Sequence, residues 1–448
     1  MRINYFSPLL PSQSGISEVA EQVVPALSQY ATVTVWTDQT EWSQALAQSA
    51  KIRQYDPNDV SWRELNDTDL NVYHIGNNVH FHHGIWQISN RVPGLVVVHD
   101  VKLQHLFYGI TCVRGRDGEG YIREISRRYG HEAGITARRF LSGEVPIAAV
   151  EDFSMTEWAL ENAAAVMVHT RTAFQQIAQA DRWPVGYQPL AFHTPPILRE
   201  RPRQAPPYRL VIFGYIAYNR RVEAVLEALG KFAQRRKFQL DIYGKLDDPD
   251  SINGCIQQFN LKAQVKVHGF VDDAVLDRAL SEAHLAINLR YPTMGEASIS
   301  QLRIWRHALP ALVTQVGWYA EQPEDIVCFV RPEHEVEDIQ QHLAALIKQP
   351  EHFRAMGQRG RQRLESMHSP DAYAQAIVRF AAQLKPGYQN LTTQYWLEQV
   401  AGIMAPWQAG ELSDRDLDRV TQTISWLSHP TNQPGNIDSI TSTKKSPR

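Results

Sequence analysis

AHLAINLRYPTMGEASISQLRIWRHA, residues 283–308, changes character twice. An apolar run of strand length ends at Arg290. A loop turns at Gly295, and small residues open a helical pattern, SISQLRIWRHA. The first N–H groups of a helix lack intrahelical partners and carry partial positive charge. Phosphates and other anions are held at such places, and small residues let them approach the backbone. The same stretch also reads as an ordinary strand-to-helix turn capped by Ser298.

Similar apolar runs recur along the chain. In the second half they are RLVIFGY (209–215), FQLDIYG (238–244), VKVHGFV (265–271), HLAINLR (284–290), ALVTQVG (311–317) and IVCFVR (326–331). In the first half they are RINYFS (2–7), ATVTVWT (31–37), NVYHIG (71–76), GLVVVHD (94–100) and AAVMVHT (164–170). Helical patterns lie between them: Ile16, Val19, Val23 and Leu27 share one face, as do Val222, Val225, Leu226 and Leu229. Val- and Ile-rich strands alternating with helices predict parallel sheets covered on both faces. HTPPILRERPRQAPPY (193–208) holds five prolines and little apolar periodicity, which reads as a linker. The expectation is an α/β chain of two doubly wound domains, 1–195 and 209–370, joined by 196–208. A polar, aromatic helical insert occupies about 113–162. Helices follow at 371–384 and near 391–404 and 412–427, with a disordered tail from 430.

At 448 residues, 43% hydrophobic and 21% charged, the chain has the composition of a soluble globular protein. A net charge of −3 gives no basic field for nucleic acid. Cys112, Cys255 and Cys328 stand far apart with no metal spacing, which fits a reduced cytosol. No uncharged apolar run is long enough to span a bilayer.

In open α/β sheets ligands bind beyond the carboxyl ends of strands, so the residues just after each strand matter most. They are Gly15; His74 and Asn77; His99 and Asp100; Gly214, Tyr215, Arg220 and Arg221; Lys245; and Arg290, Gly295, Glu296, Ala297 and Ser298. Arg220 and Arg221 open a helix, where cations oppose the macrodipole, a local conflict that pairing with an anion would relieve. His105 reads as packing and HFHH (80–83) as a surface loop rather than a zinc site. The dinucleotide fingerprint GxGxxG and the P-loop are absent.

These residues resemble a family. FSPLLPSQSGIS (6–17), YHIGNN (73–78), PGLVVVHD (93–100), FGYIAYNRR (213–221), NLRYPTMGEASISQLRIW (288–305) and QVGWYAEQP (315–323), in that order, resemble the retaining GT-B glycosyltransferases of family 4. The resemblance covers about residues 1–385. It implies two Rossmann-like domains facing across a cleft and transfer of a sugar from a nucleoside-diphosphate sugar to a hydroxyl acceptor, saccharide, lipid-linked or other. It implies no metal ion. Gly15, Gly214, Tyr215, Arg220, Arg221, Lys245, Arg290, Gly295, Glu296, Ala297 and Ser298 would hold the donor. His74, Asn77, His99 and Asp100 would line the acceptor edge, with His99, Glu296 and Arg220 closest to the chemistry. Two departures stand out. The family's second signature glutamate is missing, since Ile304 stands eight positions after Glu296 and, shifting by one, Arg303 stands eight after Gly295, and Tyr215 stands where many members carry an arginine. A catalytically weak partner subunit, or an epimerase or phosphorylase on the same fold, are the alternatives. The basic stretch 122–139 is a candidate for peripheral contact with anionic lipid at the inner face of a membrane.

Overall fold

The computed structural model describes residues 1–196, 205–384 and Leu397. Most of the linker, the helices expected near 391–404 and 412–427 apart from Leu397, and the tail from 430 lie outside the described residues.

Two parallel sheets form the frame. β1 (Arg2–Phe6), β2 (Thr32–Thr37), β3 (Lys51–Gln54), β4 (Leu70–Ile75), β5 (Leu95–Val98), β6 (Ala165–Val168) and β7 (Val185–Tyr187) make a seven-stranded sheet in the order β3-β2-β1-β4-β5-β6-β7. β8 (Tyr208–Phe213), β9 (Phe238–Tyr243), β10 (Val265–Gly269), β11 (Leu285–Asn288), β12 (Ala311–Thr314) and β13 (Cys328–Val330) make a six-stranded sheet in the order β10-β9-β8-β11-β12-β13. Strand order therefore reverses between β1 and β4 and between β8 and β11, the switch points at which an open α/β sheet leaves a crevice. Every residue of β4, β5, β6, β11 and β12 is buried, as strands covered on both faces must be. β3 and β7 are absent from the sequence-based reading. Both are edge strands, short and half-covered, so KIRQ and VGY carry no apolar run to betray them.

The segment HFHH departs from its expected loop. It lies in the helix Val79–Ser89, with His82 buried and Asn78 capping the N-terminus through its side chain. Between β5 and β6 the helices Gly118–Tyr129 and His131–Leu141 pack against each other. Their arginines meet carboxylates: Arg127 and Arg128 meet Glu124 and Glu161, Arg138 meets Glu119, and Arg139 meets Glu144. No helix among the described residues is long and apolar enough to cross a membrane.

One apolar cluster runs from a face of the first sheet, through Leu190, Ala191 and Phe192, to a face of the second. Tyr373, Ala374, Ile377 and Ala381, from a helix covering 370–384, belong to it. That helix follows the second sheet in the chain and packs back on the first. The Tyr30 hydroxyl donates to Asp371 Oδ1 at 2.6 Å, and His368 Nδ1 meets the Leu190 carbonyl at 2.6 Å. A large side chain buried in this way contributes ~1.5–3 kcal/mol, so this crossing is a substantial tie between the halves.

Candidate active site

The halves meet along the carboxyl ends of their strands. Both the Val101 and Lys102 amides donate to the Met294 carbonyl at 2.9 Å, joining the loop after β5 to the loop after β11. Glu321 reaches across to the helix Arg171–Ala178, whose first amides, Arg171 N and Thr172 N, it accepts at 3.0 and 2.8 Å. The Tyr218 hydroxyl donates to Glu151 at 3.1 Å.

Two adjoining cavities open in this seam, sharing Asn77, Arg290 and Ser300. One, of about 410 Å³, is lined by Gly15, Asn77, His99, Asp100, Arg290, Glu296, Ala297 and Ser298 among others. The other, of about 300 Å³, is lined by Gly214, Tyr215, Tyr218, Arg220, Arg290 and His105 among others. Residues scattered from position 15 to 298 thus converge because each follows a strand of one of two facing sheets.

Arg220 is buried under the turn at Gly214, in the left-handed region at φ 109°. Its Nη1 donates to Asn288 Oδ1 at 3.0 Å and its Nη2 donates to the Phe213 carbonyl, while its buried Nε has no partner among the described residues. Asn288 in turn donates through Nδ2 to Gln301 Oε1 at 3.0 Å and toward Ser298 Oγ at 3.4 Å. Ser298 is the N-cap of the helix Ile299–Arg306, its hydroxyl accepting from the Gln301 amide at 3.1 Å. The guanidinium and the helix mouth are therefore braced as one unit. Burial, with Arg290 alongside, pushes Arg220 down to about 9.

Arg290 lies 3.4 Å from Glu296 Oε1. Glu296 is also occupied from within its own loop, accepting from the Thr293 hydroxyl at 2.9 Å and the Met294 amide at 2.8 Å. Asp100 accepts the Asn77 amide at 2.7 Å. Burial first, then the Glu296 charge, push its carboxyl up to about 7. Around neutral pH the site thus sets two guanidiniums against Glu296 and an Asp100 that is only partly ionised.

His99 lines the cleft and His74 lies wholly buried behind it, their Nδ1 (His74) and Nε2 (His99) 2.8 Å apart.

Residues 196–363 match one family model, Glycosyl transferases group 1. The match spans the second sheet and the helix mouth that faces the cleft. Among curated proteins none matches the chain. Solved structures share its architecture at low identity. A sucrose-phosphate synthase from Thermosynechococcus elongatus is 15% identical with a TM-score of 0.58, covering 86% of this chain and 99% of its own. HepE from Anabaena, solved with UDP and glucose, is 12% identical with a TM-score of 0.58, covering 85% and 99%. WaaG, a glycosyltransferase involved in lipopolysaccharide biosynthesis, is 14% identical with a TM-score of 0.54, covering 84% and 99%. The chain has the GT-B fold, and the domain that carries its second sheet matches the Glycosyl transferases group 1 model over residues 196–363.

Three residues expected on the donor side of that domain sit elsewhere. Arg221 is held by Glu335 through three contacts of 2.7–3.0 Å, which is how the helix Val222–Lys231 tolerates a cation at its N-terminus. Lys245 is exposed and lines neither cavity. Gly295 faces away, into a third cavity of about 790 Å³ behind the loop. Tyr215 is exposed at the mouth, its hydroxyl donating to Asp247 at 2.7 Å. His105, expected in packing, lines the smaller cavity and meets buried Glu151 at 3.3 Å. Asn288 escapes sequence reasoning as well, since an Asn closing an apolar run signals only the end of a strand. Ile304 is fully buried, and Arg303 is paired with Asp273 and Asp277, so neither position offers a carboxylate to the cleft.

Proposed function

We propose that this protein is a retaining glycosyltransferase. It takes a sugar from a nucleoside-diphosphate donor and passes it to an acceptor hydroxyl, saccharide, lipid-linked or other, entering from the first-domain side. The observation that carries this reading is the surplus of positive charge in the cleft. Arg220 and Arg290 stand side by side at the mouth of the helix Ile299–Arg306, facing Glu296 and an Asp100 that burial keeps partly protonated at neutral pH. An orphaned Nε on a buried arginine lacks an acceptor, and a pyrophosphate oxygen supplies one. The group 1 match over the same segment supports it.

In the reaction, charge builds on the departing phosphate oxygens as the bond to the anomeric carbon breaks. Preorganised guanidinium and amide donors favour that state over the ground state. The acceptor oxygen attacks from the same face, and its proton leaves with the phosphate. The donor sugar lies toward Glu296, Asp100 and His99. No metal ion is part of this reading, since the two arginines and the amides do its electrostatic work.

A second reading, a sugar-nucleotide-binding partner subunit, is favoured by Ile304, which leaves no carboxylate at the position the family uses for ribose. One experiment separates them. The protein is screened by thermal shift against UDP-, GDP-, TDP- and ADP-sugars, and nucleotide release is followed with a panel of hydroxyl acceptors. A ligand at a hundred times its dissociation constant adds ~2.7 kcal/mol of stability. We expect one donor to stabilise the protein and to be consumed with retained anomeric configuration, about a hundredfold more slowly in Arg290→Ala. Stabilisation without turnover over the whole panel supports the subunit. No stabilisation by any donor contradicts both.

A further inference from the structure

Four buried histidines surround the cleft floor, and three have their tautomer set by a carbonyl. His82 Nδ1 meets the His74 carbonyl at 3.1 Å, His169 Nδ1 the Gln188 carbonyl at 2.9 Å, and His368 Nδ1 the Leu190 carbonyl at 2.6 Å. A carbonyl only accepts, so each of these rings carries its proton on Nδ1. His74 is the exception. Its Nδ1 is aimed at another imidazole, Nε2 of His99, at 2.8 Å.

A contact of that length between two neutral rings holds a single proton, so two arrangements compete. If His99 donated, His74 would accept on Nδ1 and carry its hydrogen on Nε2. That nitrogen is buried with no partner among the described residues, and an orphaned N–H there forfeits a full hydrogen bond. If His74 donates, its Nε2 is a bare lone pair on a buried ring that packs against Tyr5 at a centroid distance of 4.5 Å. The second arrangement costs less. Desolvation holds both rings neutral, each well below the ordinary imidazole value, with the neighbouring His169 and His82 adding to the effect.

We propose that His74 is a positioning residue: its Nδ1–H donates to His99 Nε2 and so fixes His99 as the Nδ1–H tautomer. The lone pair of His99 is then spent inward, and the one polar hydrogen its ring can offer a cleft ligand is on Nδ1. His99 meets its ligand as a hydrogen-bond donor to an oxygen, a sugar hydroxyl or phosphate, and has no nitrogen free to act as a base. His169 packs against His99 at a centroid distance of 4.8 Å, its ring tilted by 54°, and reaches the Tyr373 hydroxyl at 3.5 Å. The ring is thus held from β4, from the segment after β6 and from the helix that crosses back.

The tautomer itself needs no assumption about the reaction; its effect on rate rests on the glycosyl-transfer reading above. The test is nitrogen-15 NMR of the histidine rings in the full-length protein, with His99 identified by its loss in His99→Asn. We expect His99 to show a protonated Nδ1 and a bare Nε2. In His74→Asn the side-chain amide places an N–H where Nδ1–H was, and the pattern persists; in His74→Leu the proton moves to Nε2. Turnover falls about tenfold in His74→Leu, the worth of one oriented hydrogen bond, and largely returns in His74→Asn. A native His99 with its proton on Nε2 overturns the proposal whether or not either variant folds. The expected tautomers with no sugar transfer by the native protein leave the positioning intact and count against the functional reading alone.

Discussion

At the scale of single residues, Asp100 shows how burial sets chemistry here. An exposed aspartate titrates near pH ~3.9, whereas this one is pushed up to about 7 by burial and by Glu296, against the opposing pulls of the Asn77 amide and Arg290. Between those values the folded protein holds a proton that the unfolded chain has released. Stability therefore falls as pH rises through that window, by about 4 kcal/mol in all. Asp100→Asn keeps an acceptor for the Asn77 amide and removes the titration. We predict that its stability advantage over the native protein grows by that order between pH 4 and pH 8, read from denaturant midpoints. A constant difference would show that Asp100 is ionised throughout. The position of Asp100 was visible in PGLVVVHD, because a residue closing a buried parallel strand falls at the crevice. Its protonation was not visible, because Glu296 comes from the other half of the chain. The contact between His105 and Glu151, 46 residues apart, was likewise not legible in the sequence.

At the scale of elements, the glycines serve closure more than ligand approach. A Cβ on Gly15 would stand 2.8 Å from Ile299 Cδ1, the far end of a flexible side chain. A Cβ on Gly295 would stand 2.9 Å from Val101 Cβ, at a φ of 80° that side chains resist. Both contacts cross the seam between the halves. We predict that Gly295→Ala destabilises the protein by ~1–3 kcal/mol, while Gly15→Ala, at the start of a helix that favours alanine, costs less than ~1 kcal/mol. Equal shifts in thermal midpoint would contradict this ranking. Strand identity was legible wherever burial on both faces made a continuous apolar run, as in GLVVV and HLAIN. It failed at β3 and β7, where a sheet edge imposes no such run, and at HFHH, where one buried histidine between half-buried and exposed neighbours hides a helix.

At the scale of the whole molecule, the alternation of strands and helices, broken by the proline-rich stretch 193–208, was enough to read two parallel sheets. What it could not yield is how they face each other. That depends on contacts with no sequence signature: Glu321 capping a helix of the other half, Met294 accepting two amides across the seam, and the 370–384 helix packing back on the first sheet. Together these place Arg220, Arg290 and the mouth of the helix Ile299–Arg306 opposite His99 and Asp100. We propose that this seam holds a pyrophosphate. The most direct measurement is a crystal structure of the protein with a nucleoside-diphosphate sugar bound. We expect phosphate oxygens within hydrogen-bond reach of Arg220, Arg290 and the amides following Ser298, with the sugar turned toward Glu296 and His99. A pyrophosphate bound elsewhere, with both guanidiniums keeping only their present protein partners, would contradict it.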